Sequence, residues 1–186
     1  MALAEEKYRN LVNSVHLNDL TKFKSELEKL AVEDGKNAEY HLKNCYYVKT
    51  QDHLMHVIAQ LGRIEFLDHL IQNFSNLNIL EIYNLDGKTP LHEASQFSQV
   101  EIVRLLLQHN VKVDPLKRAD WTPLMLACTK TGPGALQIVQ MLLGQGADVN
   151  LQNKVCLFIL LLYKAHLDLL KDSKYLNNKT LGRCKS

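Results

Sequence analysis

Apolar positions along the chain recur in short blocks with helical spacing, and polar turns separate the blocks. Tyr8, Leu11, Val12 and Val15 share one helix face and Leu20, Phe23, Leu27 and Leu30 another, so residues 5–30 predict two amphipathic helices. Glu33 to Asn44 (EDGKNAEYHLKN) is polar and predicts an exposed loop, which we extend over 33–51. Beyond it the apolar blocks come in pairs: 52–62 with 64–71, 86–94 with 100–107, and 119–127 with 136–143. After Lys154 this rhythm stops, and Val155 to Tyr163 (VCLFILLLY) is apolar without interruption. A helix is predicted from about Val155 to Leu170. Two readings of it stay open: a plug for the end of the array, or a tail from an alternative or mispredicted transcript.

The pairs are copies of one another. Asp86-Gly-Lys-Thr-Pro-Leu-His-Glu-Ala94 and Ala119-Asp-Trp-Thr-Pro-Leu-Met-Leu-Ala127 align at an offset of 33. Thr89 and Thr122 are suitable N-caps, and Pro90 and Pro123 fall at the first helical position, where a missing N–H costs nothing. Asn110 and Gly146 sit where a left-handed residue would end the second helix of each pair. A weaker copy begins at Asp52, with His56 36 residues before His92 and with His53-Leu54 in place of Thr-Pro. Its extra residues fit a longer linker between Gln72 and Leu85, and a further insertion falls at Thr131-Gly-Pro-Gly134, between the two helices of the last copy. Helices this short are unstable alone and must stack to bury their apolar faces.

This period and the Thr-Pro-Leu-His signature make the chain resemble the ankyrin-repeat family. The resemblance implies an all-α solenoid of stacked helix-turn-helix units with β-hairpin tips. The expected division is 1–32 as N-terminal capping helices, 33–51 as the polar loop, 52–154 as three repeats (about 52–85, 86–118 and 119–154), and 155–186 as a divergent C-terminal helix and tail.

Composition narrows the function classes. The 186 residues carry 22 Lys and Arg against 20 Asp and Glu, a net charge of +2, so no strong field recruits nucleic acid or an anionic membrane. The start of the chain lacks the apolar core of a secretory signal, and the nine-residue run at 155–163 is short of the roughly 20 needed to span a bilayer. Cys45, Cys128, Cys156 and Cys184 form no CxxC pair, so reduced structural thiols are expected. His53 and His56 lack the glutamate of a zinc-protease HExxH motif, and there is no GxSxG or P-loop. A monomer without metal or cofactor, acting in cytoplasm and nucleus as a protein-binding adaptor rather than an enzyme, is expected.

The family resemblance also implies where a partner docks: on hairpin tips and on the exposed face of the first helices. Carried over by position, the tips supply Asn84, Asp86, Lys88, Lys117, Arg118, Trp121, Asn150, Gln152 and Lys154, and the helical floor supplies Glu93, Gln96, Phe97, Leu126, Thr129 and Lys130. Trp121 beside Arg118 is the leading hot spot, because Trp and Arg are favoured anchors; packing between successive tips is an equal alternative for Trp121. His92 resembles the family's structural histidine, which Met125 replaces one repeat on. Asn150 in Asp-Val-Asn resembles the asparagine that factor-inhibiting asparaginyl hydroxylase modifies.

Val113 to Lys130 is more specific. It is similar to an ankyrin-repeat cofactor of alanyl-tRNA synthetase, and the similarity covers about 52–154. That resemblance implies binding to the synthetase and capture of misactivated serine on lysine amines, which limits serine mischarging. Lys154 matches one acceptor, whereas the other falls on Arg118, a side chain that stays protonated. Lys117 would then have to substitute. An exposed lysine leaves about one amine in a thousand uncharged at neutral pH, so burial or a neighbouring cation such as Arg118 must lower its pKa.

Overall fold

A computed structural model describes residues 6–74 and 77–151. The helices follow in order as α1 (Arg9–His16), α2 (Leu20–Asp34), α3 (Ala38–Asn44), α4 (Leu54–Leu61), α5 (Ile64–Asn73), α6 (Pro90–Gln96), α7 (Val100–Gln108), α8 (Pro123–Cys128) and α9 (Pro133–Gly144). Inner helices α1, α4, α6 and α8 stack in one layer, and α5, α7 and α9 stack in a second. One contiguous core runs between the layers from Tyr8 to Ala147. Fully buried leucines such as Leu67, Leu70 and Leu106 each contribute about 1.5–3 kcal/mol, and only stacking supplies that burial to helices of two or three turns.

The N-terminal pair repeats the geometry of the later units without their sequence signature. Its helices are joined at Asn18 (φ 59°), those of the next unit at Gly62 (φ 67°) and those of the third at Ser98 (φ 57°). At each joint an amide reaches back five residues: Asp19 to Ser14 (2.9 Å), Arg63 to Ile58 (3.1 Å) and Gln99 to Ala94 (2.9 Å). This is the left-handed helix ending that satisfies last-turn carbonyls. The pair docks on the next unit through the Arg63 guanidinium, which donates to the carbonyls of Val15 (3.0 Å) and His16 (2.8 Å), and through the edge-to-face Phe23–Phe66 contact.

The expected exposed loop over 33–51 is corrected, since it contains α3. Asn37 caps this helix by accepting from the Tyr40 amide at 2.9 Å, as Asx residues do. It escapes the apolar pattern because it buries one leucine, Leu42, and one polar residue, His41. His41 is satisfied in the interior, meeting the Tyr8 hydroxyl at 3.3 Å and Asp34 at 3.1 Å. Tyr8 and His41 are both fully buried, so this triad braces the first unit rather than meeting a substrate.

Three further details differ from the expectation. The linker between Gln72 and Leu85 holds a 3-10 turn, Leu77–Glu81, whose Ile79 and Leu80 are core residues. The turn at Thr131–Gly134 is shorter than the insertion, because Pro133 opens α9 at its first position, as a ring without an N–H permits. The β-hairpin tips carry no strand among the described residues; isolated bridges pair Tyr46 with His53 and Lys117 with Trp121. The tips are too short to propagate a ladder. They are tied to each other instead, Leu85 N–H donating to Thr50 (3.0 Å) and Arg118 N–H to Asp86 (2.8 Å). The predicted helix at 155–170 lies outside the described residues.

Candidate protein-binding surface

The second tip is shaped by Asn84. Its Oδ1 accepts from the amides of Asp86 and Lys88, both at 2.9 Å, and its Nδ2 donates to Asp52 at 2.5 Å. Every polar atom of the side chain is thus spent inside the tip, and Asn84 is buried. It builds the surface, and its expected role as a contact is corrected. Gly87 takes φ 72°, and a Cβ there would sit 3.3 Å from the Lys117 Cα. A side chain there would be strained by the backbone and would press on the neighbouring tip, so glycine suits the position.

The third tip has no glycine. Ala119 (φ 62°) and Asp120 (φ 57°) are both left-handed, a conformation that strains a residue with a Cβ. Arg118, set beside this turn, reaches back to Asp86 at 3.3 Å across a pair more than half exposed on both sides. An ion pair so exposed adds little stability, so both charges can be offered to a partner at small cost.

Between tips and floor lies a polar cluster. The Lys88 ammonium donates to Glu93 at 2.8 Å and to Gln96 at 3.0 Å. Glu93 is buried, and burial raises its carboxyl pKa while Lys88 pulls it back. Glu93 is consequently a counter-ion that fixes Lys88, and its expected place on the open floor is corrected. Leu126 is buried as well, which the sequence could not show because Leu124 to Cys128 is apolar at every position and presents no polar face to mark the outside. Gln96 and Lys130 are half-buried, and Phe97, Thr129 and Asn150 are exposed. Asn150 is oriented by Asp148, whose Oδ1 accepts from its amide at 2.8 Å and from Nδ2 at 3.1 Å. Gln152 and Lys154 lie outside the described residues.

Trp121 is half-buried. Its backbone pairs with Lys117, and the Lys117 ammonium lies 5.5 Å from the ring centroid, within cation–π range. Burial lowers the Lys117 pKa and nearby Lys88 lowers it further, while Asp86 and Glu93 act in the opposite sense. The neighbouring cation is therefore Lys88, not Arg118 as the sequence order suggested, because Arg118 turns to Asp86.

The histidines are joints. The Thr89 amide donates to His92 Nδ1 at 3.1 Å, which leaves the Nε2 proton for the Trp121 carbonyl at 3.1 Å. His56 repeats this with the His53 amide (3.2 Å) and the Lys88 carbonyl (2.8 Å). His56 thereby supplies what the missing Thr-Pro start does not. Burial pushes His92 down to about 4 and lowers His56 as well, so both rings are neutral donor–acceptor bridges at pH 7. Cys45 and Cys128 are buried, their thiols raised to about 12 and about 11 by burial. Among the described residues no group of three His, Cys, Asp or Glu could hold a metal ion, and no helix is long and apolar enough to cross a membrane.

Sequence reading missed the apolar part of this surface. Tyr83, Leu85 and Leu116 are each about half exposed, and Tyr83 and Leu116 stand 33 apart, at one register in successive tips. The available signal was a large apolar residue at a tip position outside any helix.

A family model for ankyrin repeats, in three copies, matches residues 54–153, more than half of the chain. The chain belongs to the ankyrin-repeat family. It is 39% identical over 90 residues to human ankyrin repeat and SOCS box protein 16, which is 48% of this chain and 18% of that protein. It is 34% identical over 125 residues to rat protein phosphatase 1 regulatory subunit 12A (66% of this chain, 12% of that protein). With ankyrin repeat protein nuc-2 of Neurospora crassa it shares 30% identity over 95 residues, 51% of this chain and 8% of the relative. The chain thus spans less than a fifth of the length of these relatives. Ankyrin repeats are protein–protein interaction modules, generally without catalysis of their own, and three of them make up the centre of this chain.

Proposed function

We propose that this chain recognises a protein partner through the tip and floor surface centred on Trp121, and that the partner is alanyl-tRNA synthetase in cytoplasm and nucleus. The observation that carries the surface is the grouping of Lys117, Arg118 and Trp121 beside exposed Leu116, a mixture of aromatic, basic and apolar side chains on a rigid tip. Such mixtures concentrate binding energy. The synthetase as partner rests on the resemblance of residues 113–130 alone. Trp121 is the single tryptophan of the chain, so fluorotryptophan labelling gives one fluorine resonance from this site. Titration with purified synthetase is expected to shift or broaden it, and Trp121→Ala to weaken binding at least tenfold, about 1.4 kcal/mol. An unperturbed resonance with saturating synthetase would refute this partner, while the same resonance perturbed by another ankyrin-binding protein would retain the surface.

The lowered pKa of Lys117 favours a second role toward the same partner. Its uncharged amine would attack the carbonyl of seryl-adenylate, forming an amide, expelling AMP and releasing a proton. Incubation with the synthetase, serine and ATP is then expected to add one seryl residue to the peptide carrying Lys117. Lys117→Arg, which keeps the positive charge beside Trp121, should abolish that mass shift, and an unmodified Lys117 under these conditions would dismiss the acceptor role. Asn150, exposed and oriented by Asp148, is the proposed substrate position for asparaginyl hydroxylation.

A further inference from the structure

Three backbone bonds set the tips in one register. The Tyr47 amide donates to the Asp52 carbonyl (3.1 Å), that of Asn84 to Lys88 (3.0 Å) and that of Lys117 to Trp121 (3.0 Å). Tyr47, Asn84 and Lys117 are therefore equivalent positions, and so are their successors Val48, Leu85 and Arg118. Val48 is 54% exposed and Leu85 49%, so two aliphatic side chains and then a guanidinium follow one another from tip to tip. Tyr83 and Leu116, 49% and 48% exposed, form a second row beside the first. Neighbours across the two rows are two residues apart in the chain, a separation of at most about 7 Å. Hydrogen bonds between tips, from Leu85 N–H to Thr50 and from Arg118 N–H to Asp86, hold the rows side by side across three units. Apolar side chains exposed singly need no explanation, but four in contiguous rows mark an interaction surface.

We infer that these rows take an extended partner segment, of polyproline II form, with an apolar side chain at every third position and a carboxylate at the Arg118 end. Spacing selects the form. Stacked helices stand about 8–10 Å apart, and the tips follow that pitch. A polyproline II chain has about three residues per turn and rises ~3.1 Å per residue, so every third side chain returns to one face after about 9 Å. An α-helix, about 10–12 Å wide with its side chains, does not seat between rows at most about 7 Å apart. Tyr83 supplies an aromatic face, on which polyproline II segments dock. Charge selects the last position. Arg118 pairs with Asp86 at 3.3 Å, and both side chains are more than half exposed, so a partner carboxylate can take over the guanidinium at little cost. Arginine offers that carboxylate two parallel N–H donors. A second copy of this chain fits less well, because a two-fold interface would set Arg118 of one molecule against Val48 of the other, an unpaired charge against an aliphatic side chain. The inference rests on the reading that the tips bind protein, and it is independent of the synthetase as the partner.

The test uses the full chain and the fluorescein-labelled peptide Leu-Pro-Pro-Leu-Pro-Pro-Glu, read by fluorescence anisotropy. Saturable binding with a Kd below about 1 mM is expected, and Leu85→Ser should weaken it about tenfold. Replacing the peptide's glutamate by lysine should weaken binding about fivefold, and Arg118→Glu should restore the affinity of that lysine peptide. The peptide changes leave the protein untouched, so they read recognition and not folding. Absence of saturable binding, indifference to Leu85→Ser, or equal binding of a peptide with leucine at every second position would overturn the proposal. The fluorine resonance of Trp121 reports separately on the synthetase. A response to the synthetase without peptide binding overturns this inference and leaves that partner standing, and peptide binding without the response does the reverse.

Discussion

Lowering the pH from 7 to 4 is expected to weaken the array through the histidines at its joints. His92 is fully buried, and its Nδ1 is occupied as an acceptor by the Thr89 amide. Protonating Nδ1 costs that hydrogen bond and places a cation in the interior. Burial holds the folded pKa at about 4, with repulsion from Lys117, Lys88 and His56 adding to it and the Trp121 carbonyl opposing it. An unfolded histidine titrates near 6.5. Between those values the unfolded chain binds a proton that the folded chain refuses, so stability is complete above pH 6.5 and falls as the pH drops toward 4. The shift of roughly 2.5 units amounts to about 3 kcal/mol for this one ring, a large part of the 5–15 kcal/mol typical of a domain. His56 is lowered in the same direction. Glu93 and Asp114 work the other way, since burial raises their carboxyl pKa values and lets the folded chain bind protons first. A comparison with His92→Gln separates these effects, because glutamine keeps an N–H for Trp121 and does not titrate. Urea unfolding of both proteins at half-unit steps from pH 7 to pH 4 measures the difference. It should move in favour of the variant by about 3 kcal/mol on acidification. A difference independent of pH would refute the assignment of His92 as a neutral bridge.

Three other substitutions probe particular features of the fold. The Ser95 hydroxyl is buried and has no hydrogen-bond partner among the described residues, so Ser95→Ala should leave the urea midpoint unchanged or raise stability by up to about 1 kcal/mol; a loss of that size would point to a bond the hydroxyl makes. Ala119 is held at φ 62°, and Ala119→Gly is expected to stabilise by about 1 kcal/mol, read as a higher thermal midpoint. Arg63→Ala removes both donors to the carbonyls of Val15 and His16. Its cost of about 2 kcal/mol should appear in hydrogen exchange as faster opening of 9–34, with 100–144 unaffected.

The sequence disclosed the elements whose residues perform one task each. Thr-Pro at the starts of α6 and α8, and the left-handed Asn110 and Gly146 (φ 55° and 86°) after α7 and α9, are local chemistry and could be placed from the period alone. Residues with two tasks were harder to read. Asn84 and Glu93 occupy registers that face a partner in a regular repeat, yet here their polar atoms are consumed by Asp52 and Lys88, which come from other positions in the fold. Lys117 illustrates the same limit. Its sequence neighbour is Arg118, but the cation that acts on it is Lys88, brought across by the stacking of tips. Helix α3 was hidden because its buried face is half polar, and His41 reads as a surface residue until Tyr8 and Asp34 are folded against it. The tip surface was legible as a region, and its apolar members Tyr83, Leu85 and Leu116 emerged only with the fold.

The joint between α4–α5 and α6–α7 is pinned at three levels. The Leu85 amide ties the tips, His56 ties the inner layer, and the Gln99 side chain donates to the Gln60 carbonyl at 2.9 Å in the space left by Gly62. At the next joint the tips and the inner layer are tied in the same way by Arg118 and His92, and at the turn Gly134 lies against Ser98, where an added Cβ would stand 3.5 Å from the Ser98 carbonyl oxygen. Both joints are thus fastened at the tip, in the inner layer and at the turn. A load applied by a ligand at Trp121 is therefore shared along the stack, and the tip offers its side chains from a frame that its neighbours hold in register.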